Sequence, residues 1–368
     1  MNSKVGILVV DNSLGLTGAF KSIIAFHKNM KSKYHFIYAL NSPDLGAELE
    51  KAGIEFIKIR FVELNKSWSV LFYFPMLFAN TIILLKLIKR KKIRVVHIND
   101  MYNLLGVMVK LFSPNIKVVY HVRLLPDSYL KPIYSYVVNI ISRYADILIP
   151  VSKAVLKNLP MSNKNRLIYD ASDMQPINKK DTEVFTFLYV GNFVRGKGQD
   201  FAIRAFAKSL NEISNAHLTF IGGTFKNSAN NLFFQEVQKL VKDHQLQQHV
   251  SFLPSNISIG EVYPTGNVVL NFSQSESFSM VCLESQLSGI PVISTRCGGP
   301  EEIIKHGETG LLVDKNDINH MSEAMIKLFK NREYTLALGR NAKVMASEKF
   351  RLEDSIDKLE NVYEELIN

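Results

Sequence analysis

Apolar runs of a few residues alternate with longer amphipathic stretches along the chain. In the first half the stretch 1–10 reads as the first strand, and further runs cover 34–39, 54–59, 95–99, 116–120, 145–152 and 167–170. In the second half they cover 185–190, 217–221, 250–254, 268–272, 291–294 and 310–313. Runs this short, bounded by Gly, Pro, Asn, Asp or Ser, predict strands buried on both faces of a parallel sheet. Helical patterns fill the intervals at 20–30, 44–52, 70–88, 231–244, 278–287 and 318–330. Ser152 caps a further helix, and 352–367 is an amphipathic tail. This alternation predicts an α/β chain. A polar segment at 172–183, containing Pro176, divides it into two series.

Composition supports two folded domains: 368 residues, 47% hydrophobic and 21% charged. Two cysteines, Cys282 and Cys297, make a disulfide framework or a zinc site a poor reading and suit a reducing compartment. The apolar core of the first ten residues is too short for a signal peptide and is stopped by Asp11, so a cytoplasmic location is expected.

Charge changes the picture more. Of the net +10, residues 1–170 carry 24 Lys/Arg against 10 Asp/Glu, or +14; the remainder is −4. That asymmetry calls for an acidic partner of the first half. No nucleic-acid motif or aromatic-basic stacking pattern is present, so nucleic acid is not expected and an anionic membrane surface is. The apolar run 70–88 approaches the roughly 20 residues of a membrane span. Pro75, Asn80 and Lys86 interrupt it, and a strand that must rejoin the sheet follows. It reads as a helix partly in the core and partly membrane-facing, ending in Lys89, Arg90, Lys91 and Lys92.

The chemistry concentrates at 273–302, read as strand, polar loop, helix, strand and Gly-Gly turn. Such a loop lies past the carboxyl end of its strand, where open α/β sheets bind ligands. With a helix starting at Phe278, the amides of Phe278, Ser279 and Met280 would suit phosphate or sugar oxygens. Glu276 and Glu284 flank them, and carboxylates accept hydrogen bonds from vicinal hydroxyls. They could equally be a carboxylate complementing the helix dipole and a solvated helix residue. In the turn after the strand 185–190, Arg195 and Lys197 form a basic pair that could neutralise a diphosphate.

The order and spacing Glu276-Ser-Phe-Ser-Met-Val-Cys-Leu-Glu284, then Gly289-Ile-Pro-Val-Ile and Gly298-Gly-Pro-Glu-Glu302, resemble the E-x7-E region of retaining nucleotide-sugar glycosyltransferases of family four (glycosyl transferases group 1) with the GT-B fold. The resemblance is close over 185–330 and loose over 1–170. It implies two Rossmann-like domains facing across a cleft: 1–171 on the acceptor side, a linker at 172–183, and 184–345 on the donor side. A helix at 346–368 would pack back on the first domain. The implied reaction is retaining transfer of a hexose from a nucleoside-diphosphate sugar to a glycan or lipid-linked glycan, as in bacterial cell-surface polysaccharide synthesis. The implied location is peripheral, on the inner face of the plasma membrane.

Residue by residue, the resemblance implies a catalytic role for His121, Arg195, Lys197 and Glu276. Gly18, Phe278, Ser279, Met280 and Glu284 would bind the donor. Neither cofactor nor metal is expected, and neither cleft loop contains an Asp-x-Asp motif. The sequence departs from the family at Thr17, where a glycine is usual, and at Asn192, where an arginine is common. Arg195 would then have to supply that charge. A nucleotide-sugar epimerase and a non-catalytic nucleotide-sugar-binding protein are the alternatives.

Overall fold

The computed structural model describes residues 4–368 except 63–71, 129–130, 175–176, 178–182 and 225–226. The chain forms two compact units, Met1–Ser172 with Leu352–Asn368, and Asp173–Arg351. The second unit therefore runs six residues past the expected limit at 345. The tail helix begins at Leu352, because Arg332–Lys349 is a separate helix of the second unit.

In the first unit the strands are β1 (Val5–Val10), β2 (Tyr34–Leu40), β3 (Glu55–Lys58), β4 (Ile93–Ile98), β5 (Lys117–Val122) and β6 (Ile147–Pro150). The helices are α1 (Gly18–Met30), α2 (Pro43–Lys51), α3 (Tyr73–Lys91), α4 (Leu105–Phe112), α5 (Lys131–Tyr144) and α6 (Lys153–Leu156). The second unit holds β7 (Phe185–Val190), β8 (Ala216–Ile221), β9 (Val250–Leu253), β10 (Val268–Asn271), β11 (Val292–Thr295) and β12 (Gly310–Val313). Its helices are α7 (Gln199–Ser209), α8 (Ser228–Asp243), α9 (Ile259–Val262), α10 (Met280–Leu287), α11 (Pro300–Ile303), α12 (Ile318–Lys330) and α13 (Arg332–Lys349). The tail is α14 (Leu352–Ile367).

Both sheets are parallel, with the orders β3-β2-β1-β4-β5-β6 and β12-β11-β10-β7-β8-β9. Strand order reverses between β1 and β4 in one sheet and between β7 and β10 in the other. Loops leaving the two strands at such a point diverge and open a crevice beyond their carboxyl ends. The strands are Val/Ile-rich because both faces are covered; Ile7 to Val10 and Val268 to Leu270 are fully buried.

The expected strand at 167–170 does not form. That segment runs beside β6 and makes only isolated bonds, Arg166 N to the Leu148 carbonyl at 2.9 Å and Ile168 N to Pro150 at 3.3 Å. The start of the expected helix 70–88 (Val70 and Leu71) lies outside the described residues. Its described part, α3, starts at Tyr73 and continues through Lys91 to a left-handed cap at Lys92, φ 52°. Pro75 is tolerated because it falls in the first turn, where the amide has no intrahelical partner.

α3 buries Leu77, Leu84, Leu87 and Ile88 and is also apolar on part of its outer face. Asn80 and Thr81 are buried and bonded to the carbonyls of Arg60 and Leu77, both at 2.7 Å. Phe74, Phe78, Ile82 and Ile83 are exposed. No described helix is long and apolar enough to cross a membrane.

α14 completes the first unit's core. Leu359, Val362, Tyr363 and Leu366 pack among residues of β1, β2, β4 and α1. At its rim Lys33 pairs with Glu360 at 2.8 Å and Arg166 with Glu365 at 2.8 Å.

Candidate functional site

In the second unit the loops after β7 and β10 meet at the strand-order reversal. Gly196 and Gly198 take φ of 93° and 85°, the left-handed region that favours glycine. A side chain at Gly198 would also overlap the Phe272 carbonyl. Tyr189, buried on β7, ties the loops together: its hydroxyl donates to the Lys197 carbonyl and accepts from the Phe272 amide at 2.9 Å. The result is an ion pair, Lys197 Nζ to Glu276 Oε1 at 2.8 Å. Ser273 Oγ lies 2.8 Å from the same carboxylate oxygen.

Glu276 is also held through its backbone. Its amide donates to the Cys297 carbonyl at 3.0 Å, and its carbonyl accepts from Gly299 at 2.7 Å. Gly299 is needed there because a Cβ would overlap the Phe278 backbone. The pair is asymmetric: 43% of the Lys197 side chain reaches solvent against 14% of Glu276. Desolvation pulls the ammonium down, but the Glu276 carboxylate and its hydrogen bond outweigh this and leave Lys197 above its ordinary pKa.

α10 begins at Met280, two residues later than expected. Ser279 precedes it at φ 86°, ψ 86°, unusual for a residue with a side chain, and its hydroxyl accepts from the Cys282 amide at 3.5 Å. Such a conformation costs about 1–3 kcal/mol and persists only where the surroundings enforce it. The amides that this start leaves without helical partners are those of Met280 and Val281. Phe278 is not part of the helix start; its side chain is buried, with its ring 5.5 Å from that of Phe350. Glu284 lies one turn along α10 and is buried, so it is not a solvated helix residue.

Arg195 does not join Lys197. Its guanidinium bonds both oxygens of Glu236 on α8, at 2.7 and 2.6 Å, and lies 5.0 Å from the centre of the Phe233 ring. Asn192 instead braces the turn after β8, accepting from the Gly223 amide at 2.9 Å. Nothing in the spacing of residues 191–198 signals a partner forty residues downstream.

In the first unit, Gly18 is the first residue of α1 and half-buried. Thr17 is its N-cap, accepting from the Phe20 amide at 3.2 Å, which gives a threonine there a structural use. His121 is the last residue but one of β5, and it is fully buried rather than placed in a loop. Its Nδ1 lies 2.8 Å from Nε2 of His97, while its own Nε2 has no hydrogen-bond partner among the described residues.

Beside it is a cluster that the sequence reading left unassigned. Asn99, just past the end of β4, donates to Asp11, just past the end of β1, at 2.6 Å. Arg123 Nε donates to Asn99 at 3.0 Å, and its Nη1 pairs with the buried Asp170. Arg123 Nη2 is buried with no partner among the described residues. The usable signal was positional: Asp11 and Asn99 each end a strand beside the reversal. Among the described residues, no three His, Cys, Asp or Glu side chains gather as a metal site would require.

Residues 170–345 match the family model described as glycosyl transferases group 1. The N-acetyl-alpha-D-glucosaminyl L-malate synthase of Bacillus anthracis is 29% identical over 204 residues, 54% of this chain and 51% of that protein. The D-inositol 3-phosphate glycosyltransferase of Corynebacterium jeikeium is 33% identical over 183 residues, 48% of this chain and 43% of that protein. The chain thus spans about half the length of the curated relatives it matches. Among solved structures, Anabaena HepE in complex with UDP and glucose superposes with a TM-score of 0.82 at 18% identity, over 97% of this chain and 99% of that one. Residues 170–345 belong to the glycosyl transferases group 1 family, and the chain as a whole has the two-domain α/β GT-B fold.

Proposed function

We propose that the protein is a retaining glycosyltransferase that moves a hexose from a nucleoside-diphosphate sugar to a glycan or lipid-linked glycan of a bacterial cell-surface polysaccharide. The observation that carries this reading is the Lys197–Glu276 pair at the β7/β10 reversal, beside a helix start with free amides. As the glycosidic bond breaks, the sugar becomes oxocarbenium-like and the leaving diphosphate gains negative charge. Lys197, with the amides of Met280 and Val281, would stabilise that charge, an effect worth several kcal/mol. Glu276 would hold sugar hydroxyls and Glu284 the ribose; neither is proposed as a covalent nucleophile. Arg195 would have to leave Glu236 to take part.

The reaction is proposed to need no metal and no cofactor. The test is transfer from UDP- and GDP-sugars to lipid-linked or free glycan acceptors, with and without EDTA. Total loss in EDTA restored by magnesium would refute metal independence. Turnover of a nucleotide sugar without acceptor would point to an epimerase. Nucleotide-dependent thermal stabilisation with no turnover of any donor would point to a binding protein.

We further propose that the first unit docks on an anionic lipid surface at the inner face of the plasma membrane. The support is the outer face of α3, where exposed Phe74, Phe78 and Ile82 run at four-residue spacing into Lys86 and Arg90. Phe112 of α4 extends this patch, its ring 6.1 Å from Phe78. Each basic residue near such a surface contributes about 1 kcal/mol, fading within a Debye length. Sedimentation with anionic vesicles should show binding that weakens with salt and falls when Lys89, Arg90, Lys91 and Lys92 become Gln. A protein that stays in the supernatant at low salt would make a soluble acceptor the better reading.

A further inference from the structure

Three histidines and two tyrosines form one unbroken hydrogen-bonded chain through the core of the first unit. Tyr38 OH lies 2.7 Å from His27 Nδ1, and His27 Nε2 lies 2.9 Å from Tyr363 OH. Tyr363 OH lies 2.6 Å from His97 Nδ1, and His97 Nε2 lies 2.8 Å from His121 Nδ1. All five side chains are buried. Burial pulls all three imidazoles below their ordinary pKa, with the Arg123 cation adding to it, and His97 falls to about 3. The chain is therefore neutral at physiological pH.

Neutrality allows the protons to be counted. Each neutral imidazole carries one N–H and each tyrosine one O–H, five protons for four hydrogen bonds. Since each bond uses one proton, one proton is left over: on Tyr38, on Tyr363, whose hydroxyl oxygen can accept from both flanking imidazoles, or on Nε2 of His121. If the surplus is the O–H of Tyr38 or of Tyr363, it has no further hydrogen-bond partner among the described residues and is sealed in the core. An unpaired buried donor there costs about 1–3 kcal/mol and nothing can arrive to relieve it. If the bonds run toward His121, the surplus is an Nε2–H at the carboxyl end of β5, at the ligand-binding end of the sheet. In the ligand-free fold that Nε2–H is buried as well, and of the three places it is the one at the end of the sheet where a ligand oxygen can satisfy it.

We propose that Tyr363, through His97, is a positioning residue that fixes His121 as the Nε2–H tautomer, so that His121 donates a hydrogen bond to an oxygen of the bound sugar. In that tautomer Nε2 has no lone pair, so His121 cannot act there as a general base. The ligand atom it meets is a hydrogen-bond acceptor, such as a hydroxyl or carbonyl oxygen. The substrate part rests on the proposed function; the tautomer part rests on the proton count and on the burial of both tyrosine hydroxyls.

The test separates the two. Ring-¹⁵N-histidine NMR of the whole chain reports which nitrogen of each imidazole is protonated, with His121→Gln used to assign the resonance. The expected result is His121 protonated at Nε2 in the wild type, with a shifted Nε2–H resonance on addition of UDP-glucose. In Tyr363→Phe the bond that orients His97 is lost, and His121 should become a mixture of tautomers. The kcat should fall about tenfold, the scale of one hydrogen bond. A wild-type His121 protonated at Nδ1 overturns the proposal even if Tyr363→Phe fails to fold, as does a folded Tyr363→Phe with an unchanged His121 tautomer. Wild-type protein that transfers no sugar from any donor sinks the proposed function instead, and the tautomer result still decides this one.

Discussion

Mild acid should loosen the first unit through the same three histidines. His27, His97 and His121 are neutral in the fold and free to protonate once it opens. A folded pKa below the unfolded value means that the stability contribution is fully present above the unfolded pKa, near 6.5, and is lost as pH falls toward the folded values. At pH 5 each unfolded imidazole gains about 2 kcal/mol from protonation, so three gain about 6 kcal/mol. That is comparable to the whole stability of an ordinary domain, about 5–15 kcal/mol.

The window between pH 6 and 5 isolates the effect, because it lies below the histidine reference and above the carboxylates. There the stability of the first unit should fall by nearly 4 kcal/mol per pH unit, the slope for roughly 2.7 protons taken up on opening. Native-state hydrogen exchange on peptides from β1, β4 and β5, corrected for the intrinsic pH dependence of exchange, measures this. A slope corresponding to one proton or fewer would mean that at least two of the imidazoles are charged or exposed in the fold. That result would refute the neutral chain and the proton count built on it.

Three further outcomes follow from the second unit. Lys197→Ala should lower kcat at least about a hundredfold, the scale for losing one electrostatic group at a developing charge, while donor KM changes far less; turnover within a few-fold of wild type in steady-state assays would contradict the assignment. Glu284→Ala should weaken nucleotide binding in calorimetry, and an unchanged affinity would remove it from the ribose. Gly198→Ala meets both a positive φ and the Phe272 carbonyl, so it should destabilise the second unit by more than about 1 kcal/mol in urea unfolding.

How much of this was legible in the sequence depends on what each feature is made of. Strands such as Val268–Asn271 read directly, because a strand buried on both faces leaves a continuous apolar run. The segment 167–170 is nearly as apolar and misled for that reason; what it lacks is a regular ladder, which composition does not record. The start of α10 was placed two residues early because Phe278 fits the helical pattern, while the φ of 86° at Ser279 that sets the boundary has no signature in a serine. Lys197 and Glu276 stood out by position in two loops, yet their 2.8 Å contact depends on Tyr189, which reads only as an aromatic strand residue. Arg195 looked equivalent to Lys197, and only the fold shows Glu236 beside it. His121 could be named from the family resemblance, but its partners His97, His27 and Tyr363 come from three other elements.

The route of α14 also sets an order of assembly during synthesis. Asp173–Arg351 is contiguous and can close its core as soon as it has emerged. The first unit cannot, although most of it leaves the ribosome earlier, because Leu359, Val362, Tyr363 and Leu366 are made last. Until then β1, β2 and α1 carry an apolar surface awaiting its cover, and His27 and His97 lack the hydroxyl that joins them. Chains normally fold domain by domain from the amino terminus at roughly 5–20 residues per second. Here the later unit is free to finish first, which leaves the nascent amino-terminal half with that apolar surface uncovered throughout the interval.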